Sequence, residues 1–437
     1  MQTPAMTMLS FAVRRHQPVL VRPATATPRE MKRLSDLDDQ ETLRVHVQFV
    51  HFYRAGGQDA AGVIRRALAA ALVPYYPLAG RVREVEGRKL VVDCTGEGVL
   101  FVEADADVRL EELEDAGGGG GLRAPFPCMD QLLFDVEGSG DVLSSPLLLV
   151  QVTRLLCGGF VFALRLNHTI CDAIGISQFL LAVAEHARGL PAPAVQPSWC
   201  RELLEARSPP ETTFPHHEFD AVPPPPPPVD LVTRTFNFAP ADVAAIRKGL
   251  PPPLRDTATT YEVLTAFLWR ARTAALEVPP GEHARLVVVA NFRGIAELNL
   301  PAGYYGNACV TPTVLATAEA LQRCSLGDAV EMVREAKAAV TAEYARSTAD
   351  VLVLRGRPCL ALPNVFVVSD HRHAVFHRLD FGWGEPVYGG AADAIFGLTF
   401  YITVKNGDGE GAVGVMVVLP RPAMERFTSE MARHSIA

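Results

Sequence analysis

One segment near the middle of the chain constrains its fold more than any other. Residues 160–166 (FVFALRL) are an apolar run of β-prone residues, which predicts a strand. Residues 174–185 carry isoleucine, phenylalanine and leucine at helical spacing and predict a helix. The chain must therefore turn between 167 and 173, and whatever that turn carries is held between two regular elements.

The turn carries His168 and, four residues later, Asp172. A turn of this kind can aim a side chain into a cleft, and histidine titrates near neutral pH, which suits a general base. Alternatives remain open from the short motif alone. A lone histidine is often structural, a metal site would need a third ligand at zinc-like spacing, and Cys171 could be a catalytic thiol. For Cys171 we prefer the role of a small buried hydrophobic residue.

A second signal lies more than two hundred residues further on, at 380–386 (DFGWGEP). Gly382 and Gly384 bracket Trp383, and glycine permits backbone conformations that other residues avoid. The pattern predicts a tight turn after Asp380. We expect its tryptophan to fill core space and take no direct part in catalysis.

Together these segments make the chain resemble the plant BAHD acyl-CoA-dependent acyltransferases, which carry an HxxxD motif in mid-chain and a DFGWG motif near the C-terminus. Further stretches extend the resemblance over essentially the whole chain: 34–40 (LSDLDDQ), 75–81 (YYPLAGR), 261–270 (YEVLTAFLWR) and 304–308 (YYGNA). The first and last of these are similar to the branch that contains benzyl alcohol benzoyltransferases, other alcohol acyltransferases and taxane acyltransferases.

The resemblance implies an α/β (α+β) fold of two similar-sized domains like chloramphenicol acetyltransferase, each a mixed sheet with helices. It implies an active-site channel at their interface. We predict an N-terminal domain over 1–188 with HxxxD, a Pro-rich crossover linker over 189–230, and a C-terminal domain over 231–437 with DFGWG. The 189–230 segment is rich in proline, charge and histidine, and its hydrophobic periodicity fades.

The resemblance also implies roles for individual residues. His168 would be the base that takes the proton of an alcohol as its oxygen attacks an acyl-CoA thioester, with no acyl-enzyme. Asp172 would pair with Arg293 and hold the loop; the rival hypothesis is that Asp172 binds the imidazole directly. Structural roles fall to Asp380, Gly382, Trp383 and Gly384, and we assign acyl-CoA contacts to Thr259 and Thr260.

The expected reaction moves a benzoyl group from benzoyl-CoA to benzyl alcohol or a similar small alcohol. Acetyl or hydroxycinnamoyl donors, amine acceptors and a non-catalytic ligand-binding relative are the alternatives. This sequence departs from the pattern in two places. Ile295 stands where relatives often have a second arginine, and His371 follows Ser369-Asp370 where relatives often have tryptophan.

Composition limits the classes of binding partner and the cellular compartments that we expect for this protein. The net charge is −8, and no Lys/Arg-rich cluster with interleaved aromatics is present, so nucleic acid is not an expected partner. No run of about eighteen apolar residues or signal peptide is found, so we expect no membrane span. The eight cysteines are spread along the chain without CxxC pairs, which favours reduced thiols. We expect a metal-free monomer in the cytoplasm, with the peroxisome as alternative.

Periodicity and turn residues predict the remaining elements. In the first half they are strands over 10–22, 43–54, 89–93 and 98–102 and a helix over 60–73. In the second half they are strands over 232–238, 286–291, 365–369, 394–405 and 412–419, and helices over 240–248, 259–276, 326–344 and 424–434.

Connecting segments carry predictions of their own. The glycines at 117–121 predict a surface loop, and 406–409 (NGDG) predict a hairpin turn. The six prolines at 223–228 predict a semi-rigid polyproline strap, with a ligand for a proline-recognition domain as the alternative. We predict exposed positions for two histidine groups: His371, His373 and His377 near the second motif, with a metal site as the alternative, and His216 and His217 in the linker.

Overall fold

Two mixed sheets form the framework of the molecule. The computed structural model describes residues 9–116, 121–136, 142–405 and 411–433. The strands are β1 Val13–Arg15, β2 Val19–Val21, β3 Met31–Arg33, β4 His46–Tyr53, β5 Arg81–Glu84, β6 Leu90–Asp93, β7 Val99–Ala106, β8 Leu148–Arg154, β9 Phe160–Asn167, β10 Leu231–Phe238, β11 His283–Val288, β12 Ala290–Asn291, β13 Cys309–Val310, β14 Thr313–Thr317, β15 Val365–Asp370, β16 Tyr388–Ala391, β17 Leu398–Lys405 and β18 Gly411–Pro420. The α-helices are α1 Ala60–Ala71, α2 Leu110–Ala116, α3 Met129–Leu132, α4 Ala173–Ala187, α5 Pro240–Arg247, α6 Pro252–Thr257, α7 Thr260–Ala275, α8 Ala318–Arg323, α9 Leu326–Ala338, α10 Ala342–Leu354 and α11 Arg421–Arg433.

The first sheet runs in the order β1-β7-β8-β9-β4-β16, with β2 also paired to β7. Its β7–β8 pairing is parallel, whereas β8–β9, β9–β4 and β4–β16 are antiparallel. The last strand, β16, comes from the second half of the chain and pairs with β4 from Phe52 to Phe49. The N-terminal sheet is therefore completed by residues that the sequence assigns to the C-terminal domain.

The second sheet runs in the order β10-β18-β17-β15-β11-β14, with β15 parallel to both of its neighbours. Smaller sheets join β3-β6-β5 and β12-β13. Helices cover these sheets, so the predicted two-domain α/β architecture is confirmed. The boundaries proposed at 188 and 231 remain predictions.

The burial of strand β9 explains why the HxxxD motif that follows it lies inside the molecule. Its side chains alternate between two cores: Phe160, Phe162 and Leu164 pack with α1 and α4, while Val161 and Ala163 face residues of β17 and β18 across the two halves. Burying one such side chain contributes about 1.5–3 kcal/mol. Because both faces of β9 are buried, its position is fixed from both domains.

Most predicted elements are present, although several differ in extent: the strand predicted over 286–291 is divided between β11 and β12, and the one predicted over 394–405 begins at Leu398. The strand predicted over 10–22 is two short strands, β1 and β2. The helix predicted over 326–344 ends at Ala338, and Thr341 caps a second helix by accepting a hydrogen bond from the backbone N–H of Tyr344. The predicted glycine loop lies outside the described residues except for Gly121, and the predicted 406–409 turn lies outside them entirely.

The linker is more ordered than its composition predicts. Residues 201–204 and 217–219 form short 3-10 turns, while 223–228 are exposed and lie outside regular structure. His216 is fully buried, with Nδ1 at 2.8 Å from the Glu218 carboxylate and Nε2 at 2.8 Å from the Ser347 hydroxyl. The prediction that His216 is exposed is therefore wrong, whereas His217 is exposed as predicted. His216 is buried because it packs against α10, which is distant in sequence.

Candidate active site

His168 lies at the first residue after β9, in a turn with defined hydrogen bonds. The side-chain oxygen of Asn167 accepts bonds from the N–H and hydroxyl of Thr169, at 3.2 and 2.7 Å. The N–H of His168 donates to the carbonyl of Val45 at 2.9 Å, and α4 begins at Ala173. The strand, turn and helix predicted for this segment are therefore present.

The turn opens on a cavity of about 1130 Å³ that residues from both halves of the chain line. The lining residues include His168, Cys171, Asp172, Thr259, Thr260, Asn307, Lys337, Phe49, Phe400 and His371. The surface is largely apolar, with a few polar groups placed within it. Such a cavity suits small-molecule substrates, because apolar walls bind carbon skeletons and isolated polar groups orient them.

The electrostatic environment keeps the His168 ring neutral. Burial lowers the pKa of His168 below its ordinary value of 6.5, while the nearby carbonyls of His168 and Cys171 and the charge of Asp172 act in the opposite direction. An imidazole with a lowered pKa is unprotonated at neutral pH and has a lone pair available to accept a proton. Burial raises the pKa of Cys171 well above its ordinary value, so its thiol stays protonated and does not suit a nucleophile.

Asp172 points away from the ring and pairs with Arg293. The two guanidinium nitrogens of Arg293 lie 2.8 and 2.9 Å from the two carboxylate oxygens, a bidentate arrangement. Asp172 also accepts hydrogen bonds from the backbone N–H groups of Gly175 and Ala308, each at 2.9 Å. Burial alone would raise the pKa of Asp172, but Arg293 and these donors outweigh it and lower the pKa below its ordinary value.

This pair ties the motif turn to the second half of the chain. As cap of α4, Asp172 fixes the start of the helix, while Arg293 also donates to the carbonyls of Tyr304 and Gly306. No hydrogen bond joins the described side chains of Asp172 and His168. The geometry therefore supports Asp172 as a structural partner of Arg293 and not the rival hypothesis of direct contact with the imidazole.

The DFGWG segment forms a turn that does not line the cavity. The Asp380 carboxylate accepts hydrogen bonds from the N–H groups of Gly382 and Gly384, at 2.7 and 2.9 Å. Both glycines have positive φ, 111° and 96°, which explains their presence. The Trp383 ring packs edge-on against Phe160 at the start of β9, with 5.8 Å between ring centroids. Through this contact the turn supports the strand that leads to His168.

Thr259 and Thr260 lie at the N-terminus of α7, on the cavity wall. Thr259 caps the helix, because its hydroxyl accepts from the N–H of Glu262 while the Glu262 carboxylate accepts from the N–H of Thr259. The partial positive charge of a helix N-terminus favours anions. Three basic side chains lie near this helix end: Arg247 donates to the Thr260 hydroxyl, while Arg334 and Lys337 pair with the Glu262 carboxylate.

His371 lies on the cavity wall, so the prediction that it is a surface histidine is wrong. Its ring packs against Phe400, with 4.6 Å between centroids, and more distantly against Phe49 and Phe376. Burial lowers the pKa of His371 to about 4. The local sequence does not indicate this placement, because Phe400 and Phe49 come from the distant strands β17 and β4. His373 is exposed and His377 half-buried.

Within the described residues, no group of three or more histidine, cysteine, aspartate or glutamate side chains is arranged to hold a metal ion. Over the same part of the chain, every helix is too short or too polar to cross a lipid bilayer.

Comparison with known proteins agrees with the geometry. The family model described as "Transferase family" matches residues 11–434. The chain therefore belongs to this family, the BAHD acyltransferases. Benzyl alcohol O-benzoyltransferase from Petunia hybrida is 50% identical over 97% of this chain and 94% of its own. The enzyme of the same name from Nicotiana tabacum is also 50% identical over the same shares. (Z)-3-hexen-1-ol acetyltransferase from Arabidopsis thaliana is 48% identical, over 97% and 95%.

Solved structures share the fold at low sequence identity. Vinorine synthase superimposes with a TM-score of 0.74 at 21% identity, over 97% of this chain and 98% of its own. F. sporotrichioides TRI101, solved with coenzyme A and T-2, gives a TM-score of 0.73 at 15% identity, over 93% and 99%. The fold is therefore shared with proteins whose sequences have diverged widely.

Proposed function

We propose that this protein is an O-acyltransferase that moves an acyl group, foremost benzoyl, from acyl-CoA to a small alcohol such as benzyl alcohol. The observation that carries the proposal is the neutral imidazole of His168 on the wall of a large apolar cavity shared by both domains. The 50% identity to two benzyl alcohol O-benzoyltransferases over nearly the whole chain supports the choice of substrates.

The proposed reaction has two steps and needs no acyl-enzyme. His168 takes the proton of the alcohol as its oxygen attacks the thioester carbonyl, giving a tetrahedral intermediate. The intermediate then expels the CoA thiolate as the carbon–sulfur bond breaks, and the thiolate takes the proton back from the imidazolium. The products are an ester and free CoA. Because the imidazole supplies the base, the mechanism calls for no metal, and positioned bases contribute about 10²–10⁴ in rate.

Thr259 and Thr260 are proposed to mark the end of the cavity where acyl-CoA enters. The phosphates of CoA are anionic, and the N-terminus of α7 with Arg247, Arg334 and Lys337 supplies positive charge there. The overall charge of −8 makes this local concentration of basic groups significant. We propose that the alcohol enters at the opposite end of the cavity.

The Lys337→Ala variant tests this placement. We expect the KM for benzoyl-CoA to rise roughly tenfold, the effect of one lost charged hydrogen bond, with little change in the KM for benzyl alcohol. The difference from wild type should shrink in high salt, because salt screens exposed charges. Arg323→Ala is the matched control, because Arg323 is an exposed cation on α8 and does not line the cavity. A rise in the alcohol KM alone would contradict the assignment.

The apolar walls suit an aromatic substrate. Phe49 and Phe400 lie on the cavity surface beside His371, and aromatic rings pack favourably edge-to-face or offset. Acetyl and hydroxycinnamoyl donors or amine acceptors are alternatives, because discrimination of small groups in a hydrophobic pocket is only about 1–3 kcal/mol. The 48% identity to a (Z)-3-hexen-1-ol acetyltransferase favours acetyl transfer to an aliphatic alcohol as the second candidate.

Release of free CoA thiol, measured over a panel of acyl-CoAs and acceptors, tests the proposal. Benzoyl-, acetyl- and hydroxycinnamoyl-CoA should each be offered with benzyl alcohol, (Z)-3-hexen-1-ol and a primary amine. We expect kcat/KM to be highest for benzoyl-CoA with benzyl alcohol. A different best pair would revise the substrates but keep the chemistry. Absence of turnover with every pair, despite saturable acyl-CoA binding, would favour a non-catalytic ligand-binding relative.

We further propose that the protein acts as a monomer without nucleic-acid or membrane partners, in the cytoplasm, with the peroxisome as the alternative compartment. The monomer is supported by the cavity, since one chain supplies residues on both of its sides. We also propose the division into an N-terminal domain over 1–188, a linker over 189–230 and a C-terminal domain over 231–437, on the basis of the sequence.

A further inference from the structure

A fully buried carboxylate connects three distant segments behind the motif turn. Asp38, in the 34–40 stretch, accepts hydrogen bonds from the backbone N–H and the side-chain amide of Asn307, each at 2.9 Å. Its other oxygen accepts from the Ser35 hydroxyl at 2.7 Å and pairs with Nε of Arg201 at 3.2 Å. One carboxylate thus forms an ion pair with the linker and hydrogen bonds with the second half of the chain.

These two donors bind the backbone of the motif turn itself. The Asn307 amide nitrogen also donates to the carbonyl of His168 at 3.0 Å, with a longer contact to that of Thr169 at 3.4 Å. Nη2 of Arg201 donates to the carbonyl of Ile170 at 2.8 Å. Three consecutive carbonyls, starting at His168, are therefore contacted by side chains that Asp38 orients.

The surroundings leave these donors little freedom. The Arg201 guanidinium lies 4.5 Å from the Trp199 ring centroid and 5.0 and 5.1 Å from those of Tyr304 and Tyr305. A Cβ built on Gly306 would lie 1.2 Å from Nη1 of Arg201, so only glycine fits beside it. A buried network of this kind, with its donors locked by packing, can hold a functional group in one geometry.

We propose that Asp38, Asn307 and Arg201 are positioning residues that fix the backbone of residues 168–170 and thereby the ring of His168. The inference rests on the proposed role of His168 as base. It assigns a function to the 34–40 and 304–308 stretches, neither of which supplies the base itself. Asp38 and Arg201 act through the turn backbone, whereas Asn307 binds the turn backbone and also interacts with the His168 ring.

Asn307→Ala is the variant that tests the proposal most directly. It removes the side-chain bonds to Asp38 and to the turn, while Asp38 keeps Arg201, Ser35 and the backbone N–H of residue 307. Ser347→Ala is the matched control, because Ser347 is also fully buried and anchors a distant segment through bonds to His216 and to the N–H of Thr213. Ser347 does not line the cavity, so its loss should lower the melting temperature alone.

We expect Asn307→Ala to lower kcat by about tenfold to a hundredfold, since small misplacements of a catalytic group have effects of this size. Asn307 also lines the cavity, so the KM values should change by no more than about twofold while kcat carries the main effect. Asn307 is among the groups that raise the pKa of His168, so the acid limb of the pH–rate profile should move to lower pH. If Asn307→Ala loses only thermal stability, as Ser347→Ala is expected to do, the network is merely structural and the proposal is overturned.

A second measurement separates this proposal from the proposed function. In ¹⁵N-histidine-labelled protein, the imidazole signals missing in His168→Ala identify the ring. We expect one tautomer in the wild type and a changed tautomer ratio or titration midpoint in Asn307→Ala. Unchanged signals would overturn the positioning role. Absence of turnover in the wild type would refute the proposed function and leave this test intact.

Discussion

His168→Ala is expected to lower kcat/KM by about 10²–10⁴-fold while leaving the melting temperature close to that of the wild type. The large kinetic effect follows because the variant has no group to take the alcohol proton. The small thermal effect follows because the ring faces the cavity and the buried Nδ1 has no hydrogen-bond partner within the described residues. Thiol release at saturating acyl-CoA, beside a thermal melt of the same preparation, measures both.

The pH–rate profile gives the same experiment a second readout. Because burial lowers the pKa of His168, the wild-type acid limb should fall below pH 6.5, and activity should be lost only as the ring becomes protonated. The ionisable side chains that interact electrostatically with the ring are Asp172 and His371. His371→Gln should keep the His168 limb in place. Full turnover in His168→Ala would refute the assignment of the base.

Asp172→Ala is expected to damage folding as well as rate, lowering the free energy of unfolding by about 3–5 kcal/mol. The reason is that the change leaves the Arg293 guanidinium in a largely buried site without its carboxylate, and removes the cap of α4. Denaturant titration of the variant beside His168→Ala measures the difference. Arg293→Ala should behave alike, and the double variant should recover part of the stability, because neither charge is then left unpaired.

The effect of Asp172 on stability should also depend on pH. Its pKa in the folded protein is lowered, so its contribution is present above the unfolded-state value of about 3.9 and is lost as pH falls through the folded value. The stability gap between wild type and Asp172→Ala should therefore narrow in acid. Equal stability of Asp172→Ala and His168→Ala at neutral pH, with both inactive, would contradict the assigned division of roles.

Local sequence patterns predict those structural features that depend on interactions within a few residues. The strand, turn and helix around His168, the capped start of α7 and the turn after Asp380 follow from periodicity, capping residues and glycines, each of which acts within a few residues. The break between α9 and α10 was missed because Ala338, Ala339 and Val340 continue the helical pattern. The hydroxyl of Thr341 caps α10 and thereby separates the two helices, an effect that hydrophobic periodicity does not predict.

Burial of polar side chains could not be predicted from the sequence in the same way. His371 and His216 look like exposed residues among charged neighbours, yet aromatic rings and α10 enclose them from elsewhere in the chain. Arg201 has no local signature that indicates its role, because its carboxylate partner and two of its three aromatic neighbours come from the 34–40 and 304–308 stretches. The Asp172–Arg293 pairing was expected only through family resemblance, and the bidentate geometry now supports it.

The pairing of β16 with β4 bears on how the chain must fold during synthesis. Until residue 391 has left the ribosome, β4 is an open edge of the first sheet with unpaired backbone groups. Open edges invite pairing with foreign strands and lead to aggregation. A nascent chain carrying the whole HxxxD turn is thus still incomplete, and truncation before β16 would release an N-terminal half exposed to misassembly.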